Sequence, residues 1–501
     1  MKRSRTVFTA LSLLLAILCL VSCGAQALTG DAPMFEAPEM EGSMPLPGED
    51  FSTDLIEGDR IKENPFVSTE TEPVSTFSAD VDTASYAYMR KLLKSGYTFE
   101  ELAATAGGAL RTEELVNYFD YACPAPTGGA LFGYKARVAP TPWNSDTSLL
   151  MLTLKTEEST VHSKNNLVFL IDVSGSMSSK DKLPLLKKTF AHLTSQLDED
   201  DCVSIVTYSG QEAVVLEGCK GSKKEIILHA VNSLRPSGAT NGEAGIKMAY
   251  QLAERYFIED GNNRIFLASD GDLNVGISSD EELKDLISEK RDSGVFLSVL
   301  GFGTGNYRDQ KMETLADNGN GVYYYIDGEE EAERVFGEKI FSSLYTVAKD
   351  VKLQLTFNPE IVTEYRLIGY ENRLLNPEEF LDDTKDAGDL GAGHSVTVFY
   401  ELKLSLSSEN GSLGRLDVRY KKPDGEKSIE ESFPLDGSLY TLSPDRDFVF
   451  AAAVAEWSLL LRNSAFKGSA TKEHLAGILT ELPKDDPARE QFISLTVLLL
   501  I

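Results

Sequence analysis

Asp172, Ser174 and Ser176 place a carboxylate and two hydroxyls on alternate positions of one short run, Asp-Val-Ser-Gly-Ser-Met. The apolar residues 167–171 lie directly before it. Such an unbroken stretch suits a strand buried on both faces of a parallel sheet. The three oxygen-bearing side chains would then crowd that strand's C-terminal edge, where ligand sites of open α/β sheets form. Donors that are all oxygen suit a hard cation such as Mg²⁺. Two distant positions fit the same chemistry. Thr240 stands in Ser-Gly-Ala-Thr-Asn-Gly, just before a helical pattern, and Asp270 follows the apolar residues 265–268 in Ser-Asp-Gly-Asp. Asp and Ser are also favoured N-caps where a strand gives way to a helix, so Asp-x-Ser-x-Ser alone would be a weak signal. The two distant members, in order, point to a metal site.

Asp-x-Ser-x-Ser, then Thr, then Asp, resembles the metal-ion-dependent adhesion site of von Willebrand factor type A domains, and all five motif positions are filled. The resemblance implies direct metal coordination by Ser174 and Ser176. It implies a direct or water-mediated role for Thr240, and roles often through water for Asp172 and Asp270. The implied metal is Mg²⁺, with Mn²⁺ or Ca²⁺ as alternatives, and a carboxylate from a partner protein commonly completes the shell. Asp272, Asn274 and Glu243 lie near these residues in sequence, either as groups that orient ligands or as solvated loop residues.

The elements that must hold the site are legible around it. Residues 164–348 alternate between strand and helix periodicity, which signals a mainly parallel sheet with helices on both faces. Leu183, Leu186, Phe190, Leu193 and Leu197 form one apolar helical stripe. Further helices are expected over 223–234, 242–256, 279–291, 309–317 and 329–344, and strands over 202–208, 213–217, 264–269, 295–302 and 322–326. Gly301-Phe-Gly-Thr-Gly lacks the spacing and the lysine of a phosphate loop and reads as a strand-to-helix turn. The expected fold class is α/β: a Rossmann-like von Willebrand factor type A domain joined to a β-rich flanking domain with helical pieces.

The flanks carry other patterns. Residues 66–130 contain, from Ser75, Ser-Thr-Phe-Ser-Ala-Asp-Val-Asp-Thr-Ala-Ser-Tyr and later Glu-Glu-Leu-Val-Asn-Tyr-Phe-Asp-Tyr. Both words resemble the N-terminal region of a bacterial lipoprotein subgroup with a von Willebrand factor type A domain. Asp80, Asp82 and Asp120 there read as caps and turns, with a second metal site as the alternative. Residues 131–163 hold two strands separated by Pro140-Thr-Pro-Trp-Asn. Beyond 348 the pattern changes to alternation, with a hairpin around Pro423-Asp-Gly. An apolar helix over 445–461 follows, in a domain of 349–501 that resembles the same subgroup's C-terminal region of unknown function. Pairing of the 133–155 strands with the later ones would make the central domain an insertion in a β-rich body.

The chain carries 48 basic against 78 acidic residues, a net charge of -30. That argues against a nucleic-acid partner, which needs clustered Lys and Arg. Residues 1–22 read as a lipoprotein signal peptide: Lys2, Arg3 and Arg5, then an apolar stretch too short for a confident membrane span. Leu20-Val21-Ser22-Cys23-Gly24 looks like a bacterial lipobox, implying lipidation of Cys23, palmitate included, and a protein anchored rather than spanning. Residues 23–65 read as an acidic, Pro-rich tether, with ends roughly 35 Å apart if fully flexible. The expected address is the bacterial cell envelope, lipid-anchored and outward of the cytoplasm. Cys202 and Cys219 would face each other if their strands form a symmetric hairpin, giving a disulfide worth about 3 kcal/mol. Two reduced, buried thiols are the alternative.

Catalysis finds little support. There is no Gly-x-Ser-x-Gly around Ser174 or Ser176, no His-Glu-x-x-His and no Cys-x-x-Cys. A phosphatase built on Asp172 would need a second carboxylate where Ser174 stands. The reading is therefore a non-enzyme: a metal-dependent module binding an envelope or extracellular protein through that protein's exposed carboxylate. The alternatives are a structural envelope protein whose metal only stabilises the fold, and a metal-dependent hydrolase.

Overall fold

The computed structural model describes residues 61–158, 164–209, 212–238, 242–271, 280–303, 309–338, 344–405, 411–423, 425 and 427–500. All fall in the compact unit Ile56–Ile501. The expected leader, Cys23 and most of the tether lie outside them. Among the described residues no helix is long and apolar enough to cross a membrane.

The central sheet has six strands in the order Tyr323–Ile326, Val295–Phe302, Asn262–Ser269, Asn165–Asp172, Cys202–Tyr208 and Ala213–Lys220. Every neighbouring pair is parallel except the last. Asn165–Asp172 is buried at every residue, because successive side chains point to opposite faces and both faces are covered. Leu167, Phe169 and Ile171 pack with helix Leu183–Gln196, and Phe190 stacks on Phe169 with ring centroids 4.2 Å apart. Val168 and Leu170 pack on the other side with Ile246, Ala249 and Tyr250 of helix Glu243–Arg255. The helix expected over 329–344 is α-helical at Glu329–Glu333 and continues as one π turn, Arg334–Glu338; residues 339–343 lie outside the described residues.

Two antiparallel sheets form the flanking body. In one, Asn144–Thr156 pairs with Ser395–Leu404, Leu150 opposite Tyr400. One sheet is thus built from chain on both sides of the central domain, the arrangement an insertion requires. The other contains Val74–Ser78, Thr346–Phe357, Ser412–Lys421 and Ser428–Asp436. Leu150, Leu152 and Leu154 meet Leu353, Leu355 and Val418 of this second sheet in one apolar cluster. Leu149 and Met151 point the opposite way, into a helical layer with Phe399, Tyr86, Phe119 and Trp457. The first sheet is therefore the middle layer of three. Its central strands Asn144–Thr156 and Ser395–Leu404 are covered on both faces over most of their length.

Helix Arg446–Leu461 is the centre of the helical layer and is buried at twelve of its sixteen residues. Asp445 caps it, accepting the Phe448 N–H at 3.0 Å. Its partners include the N-terminal helices Ala84–Lys94, Phe99–Thr105 and Thr112–Asn117.

The cysteine pairing is corrected by register. A bulge between Val203 and Ile205 sets Cys202 opposite Lys220 and Val203 opposite Cys219. Directly opposed residues share a face, so Cys202 and Cys219 point to opposite sides of the sheet. Both are buried and free, and Cys123 is also free.

Candidate metal centre

Asp172 ends its strand fully buried. Its Oδ1 accepts the Ser174 N–H at 2.7 Å. That short turn lifts the chain off the sheet and sets the Ser174 and Ser176 hydroxyls 2.9 Å apart. Ser174 is buried and Ser176 is exposed, so the pair opens from the sheet edge towards solvent. A 3₁₀ turn over Gly175–Ser178 follows.

Asp270 reaches the same edge from the next strand. Ile171 is level with Ala268 in the parallel register, which carries Asp270 just past the level of Asp172. The loop ahead of Thr240 is bonded to the serine loop: Gly175 N–H donates to the Gly238 carbonyl at 3.1 Å, and Ser237 N–H to the Val173 carbonyl at 2.6 Å. Thr240 itself, like Asp272 and Asn274, lies outside the described residues. Glu243 begins helix Glu243–Arg255. The structure thus brings together Asp172, Ser174, Ser176 and Asp270, with the approach to Thr240 beside them.

One residue of this face escaped the sequence reading. Lys182 Nζ lies 2.8 Å from Asp270 Oδ2, with the side chains 15% and 2% exposed. No local motif marks it, because its pairing depends on a loop meeting the end of a strand 88 residues away.

The residues fit a hard cation. Two carboxylates and a hydroxyl pair converge on one edge, and one carboxylate already draws an ammonium from the same face. Among the described residues no group of three or more His, Cys, Asp or Glu could hold a metal ion. The serine hydroxyls add to the donor set, and hydroxyls with carboxylates suit Mg²⁺ or Ca²⁺ rather than softer metals.

Asp80 and Asp82 serve a different end. Arg373 reaches Asp80 at 3.1 Å, Asp82 at 3.5 Å and Asp317 at 2.8 Å. Burial, then Asp80 and Asp317, push the Asp82 carboxyl up, while Arg373 opposes them. These residues form an ion-paired junction between the N-terminal region, the central domain and the C-terminal body. The backbone carbonyl of Asp120 accepts from Arg489 at 2.5 Å, within the helical layer.

Three stretches of the chain match known families. Residues 166–338 match the family described as von Willebrand factor type A domain, residues 56–151 one described as von Willebrand factor, and residues 342–499 one described as uncharacterized protein YfbK, C-terminal. The chain is 39% identical over 462 residues to the uncharacterized protein YfbK of Escherichia coli (strain K12), covering 86% of this chain and 79% of that one. It is 27% identical over 191 residues to inter-alpha-trypsin inhibitor heavy chain H3 of Homo sapiens, covering 36% of this chain and 21% of the relative. Among solved structures, a von Willebrand factor type A protein from Catenulispora acidiphila aligns at a TM-score of 0.42 and 15% identity, over 68% of this chain and 80% of that one.

Proposed function

Because the chain belongs to the family of the Escherichia coli protein YfbK and carries a von Willebrand factor type A domain, we propose that it is a metal-dependent protein-binding module of the cell envelope. The observation that carries this is the convergence of Ser174, Ser176, Asp172 and Asp270 on one sheet edge, with the serine hydroxyls 2.9 Å apart. Ser174 and Ser176 would hold Mg²⁺ directly, Thr240 directly or through water, and Asp172 and Asp270 through water. When bound, the metal supplies Lewis acidity towards an acidic side chain of the partner. Ser176, the exposed member, lies on the side from which that partner comes. The protein acts by capture rather than turnover. Cys23 would carry the lipid and hold the folded part outside the cytoplasmic membrane.

The test is a pull-down from envelope extract with the full-length protein, in Mg²⁺ and in chelator, with Ser174→Ala as control. A partner held only by wild type in Mg²⁺ supports the reading. The same proteins in every lane would move recognition to the β-rich body. Turnover of an envelope substrate, lost in Asp172→Ala, would replace capture with hydrolysis.

A further inference from the structure

Lys182 is built into the metal face rather than draped across it. Its N–H donates to the Ser179 carbonyl at 3.1 Å. The Ser179 hydroxyl donates to Asp181 at 2.6 Å, and Asp181 takes Lys91 of the N-terminal helix at 3.1 Å. This braced bend joins the serine turn to helix Leu183–Gln196. The lysine stem crosses Gly303, just past strand Val295–Phe302: a Cβ there would stand 2.8 Å from Lys182 Cγ and closer still to Cε. Gly303 has φ +77°, where a side chain would be strained. The stem is thus seated against backbone, and the ammonium ends on Asp270 in a largely buried pair.

An ammonium so placed has two physical consequences. It offsets the charge of a buried carboxylate, and removing one partner of a buried pair is strongly destabilising. It also competes with a second cation for that carboxylate, since like charges a few ångströms apart in a partly buried site repel. We propose that Lys182 is a tethered cation that holds the metal face together without metal and lowers its affinity for divalent cations. It sets the concentration at which the site fills. The inference rests on the metal-site reading above.

The test is Mg²⁺ titration calorimetry on the full-length protein, comparing wild type, Lys182→Met, Lys182→Gln and Lys182→Arg, with Ser174→Ala as the blank. The neutral variants should bind Mg²⁺ at least tenfold more tightly than wild type, and Lys182→Arg within about threefold of it. In chelator the neutral variants should melt below wild type, and Mg²⁺ should raise their Tm more than it raises that of wild type. A merely structural lysine would lower Tm without tightening Mg²⁺ binding. Equal or weaker Mg²⁺ binding by Lys182→Met and Lys182→Gln, with wild type still binding and Ser174→Ala not, overturns the proposal and leaves the metal site standing. No Mg²⁺, Mn²⁺ or Ca²⁺ binding by any of the proteins overturns both. Binding by the neutral variants alone supports both.

Discussion

The carboxylate of Asp82 accepts the backbone N–H of Tyr323 at 2.8 Å. Asp82 precedes the first helix of the N-terminal region, and Tyr323 begins the edge strand of the central sheet. Helix Ala84–Lys94 then covers that edge, with Tyr88 edge-on to Tyr325 at 5.4 Å. The N-terminal region thereby shields an edge that would otherwise be open to pairing with another chain. Asp82→Ala would remove the acceptor from a buried N–H. The expected loss is about 1–3 kcal/mol, read as a lower urea midpoint, with Asp82→Asn retaining part of the stability.

Arg90 is the second tie between the same helix and the central domain. Its guanidinium bonds Asp327 and Glu331, each at 2.6 Å, with all three side chains at most 3% exposed. Burial pushes Glu331 up, but Arg334 and Arg90 overcome it and hold the carboxyl at about 2. Arg90→Met would leave two buried carboxylates short of a partner. Unfolding measurements should show a loss of about 3–5 kcal/mol, well beyond the effect of an exposed pair such as Lys188–Glu329.

Glu113 predicts a pH dependence. Glu113 is buried, and the loop at Gly369 closes directly on its carboxylate. Burial first, then Glu371 and Asp80, raise its pKa from the ordinary 4.5 to about 8. Between these values the folded chain keeps a proton that the unfolded chain releases, so stability falls as pH rises through that window. The urea midpoint should drop from pH 5 to pH 8.5. Glu113→Gln should flatten the drop but not abolish it, because burial also raises Asp389, to about 7.

Metal binding gives its own thermal signature. A ligand that binds only the folded state at a hundred times its Kd adds about 2.7 kcal/mol. Mg²⁺ should therefore raise the Tm of wild type by several degrees, reversibly with chelator. Ser174→Ala should abolish the shift without changing the metal-free Tm by more than about 1 kcal/mol equivalent.

Thiol titration checks the strand register. With Cys202 and Cys219 on opposite faces, the denatured, non-reduced and delipidated chain should show three reactive thiols, including Cys123. One thiol would mean that the two strands pair in a different register.

The sequence by itself determined the α/β central unit and the serine-aspartate edge. A strand buried on both faces appears as a run such as residues 167–171, and a helix with one apolar face appears as the stripe from Leu183 to Leu197. Both signals are local and periodic. The Asp172 turn is local too, since Asp172 accepts from Ser174 only two residues on. Tertiary structure alone decided the rest. Leu149 and Leu150 look like one hydrophobic pair in sequence, yet face two different layers because the strand that carries them lies in the middle layer. Cys202 and Cys219 look symmetric about their turn, yet the register shifts between their strands turn them apart. Lys182 carries no motif, and joins the serine-aspartate edge only because Gly303 leaves room for its stem and Asp270 stands at its end. Each of these depends on register or on contact between residues distant in the chain. Such contacts are settled by what packs together, and no local period encodes them.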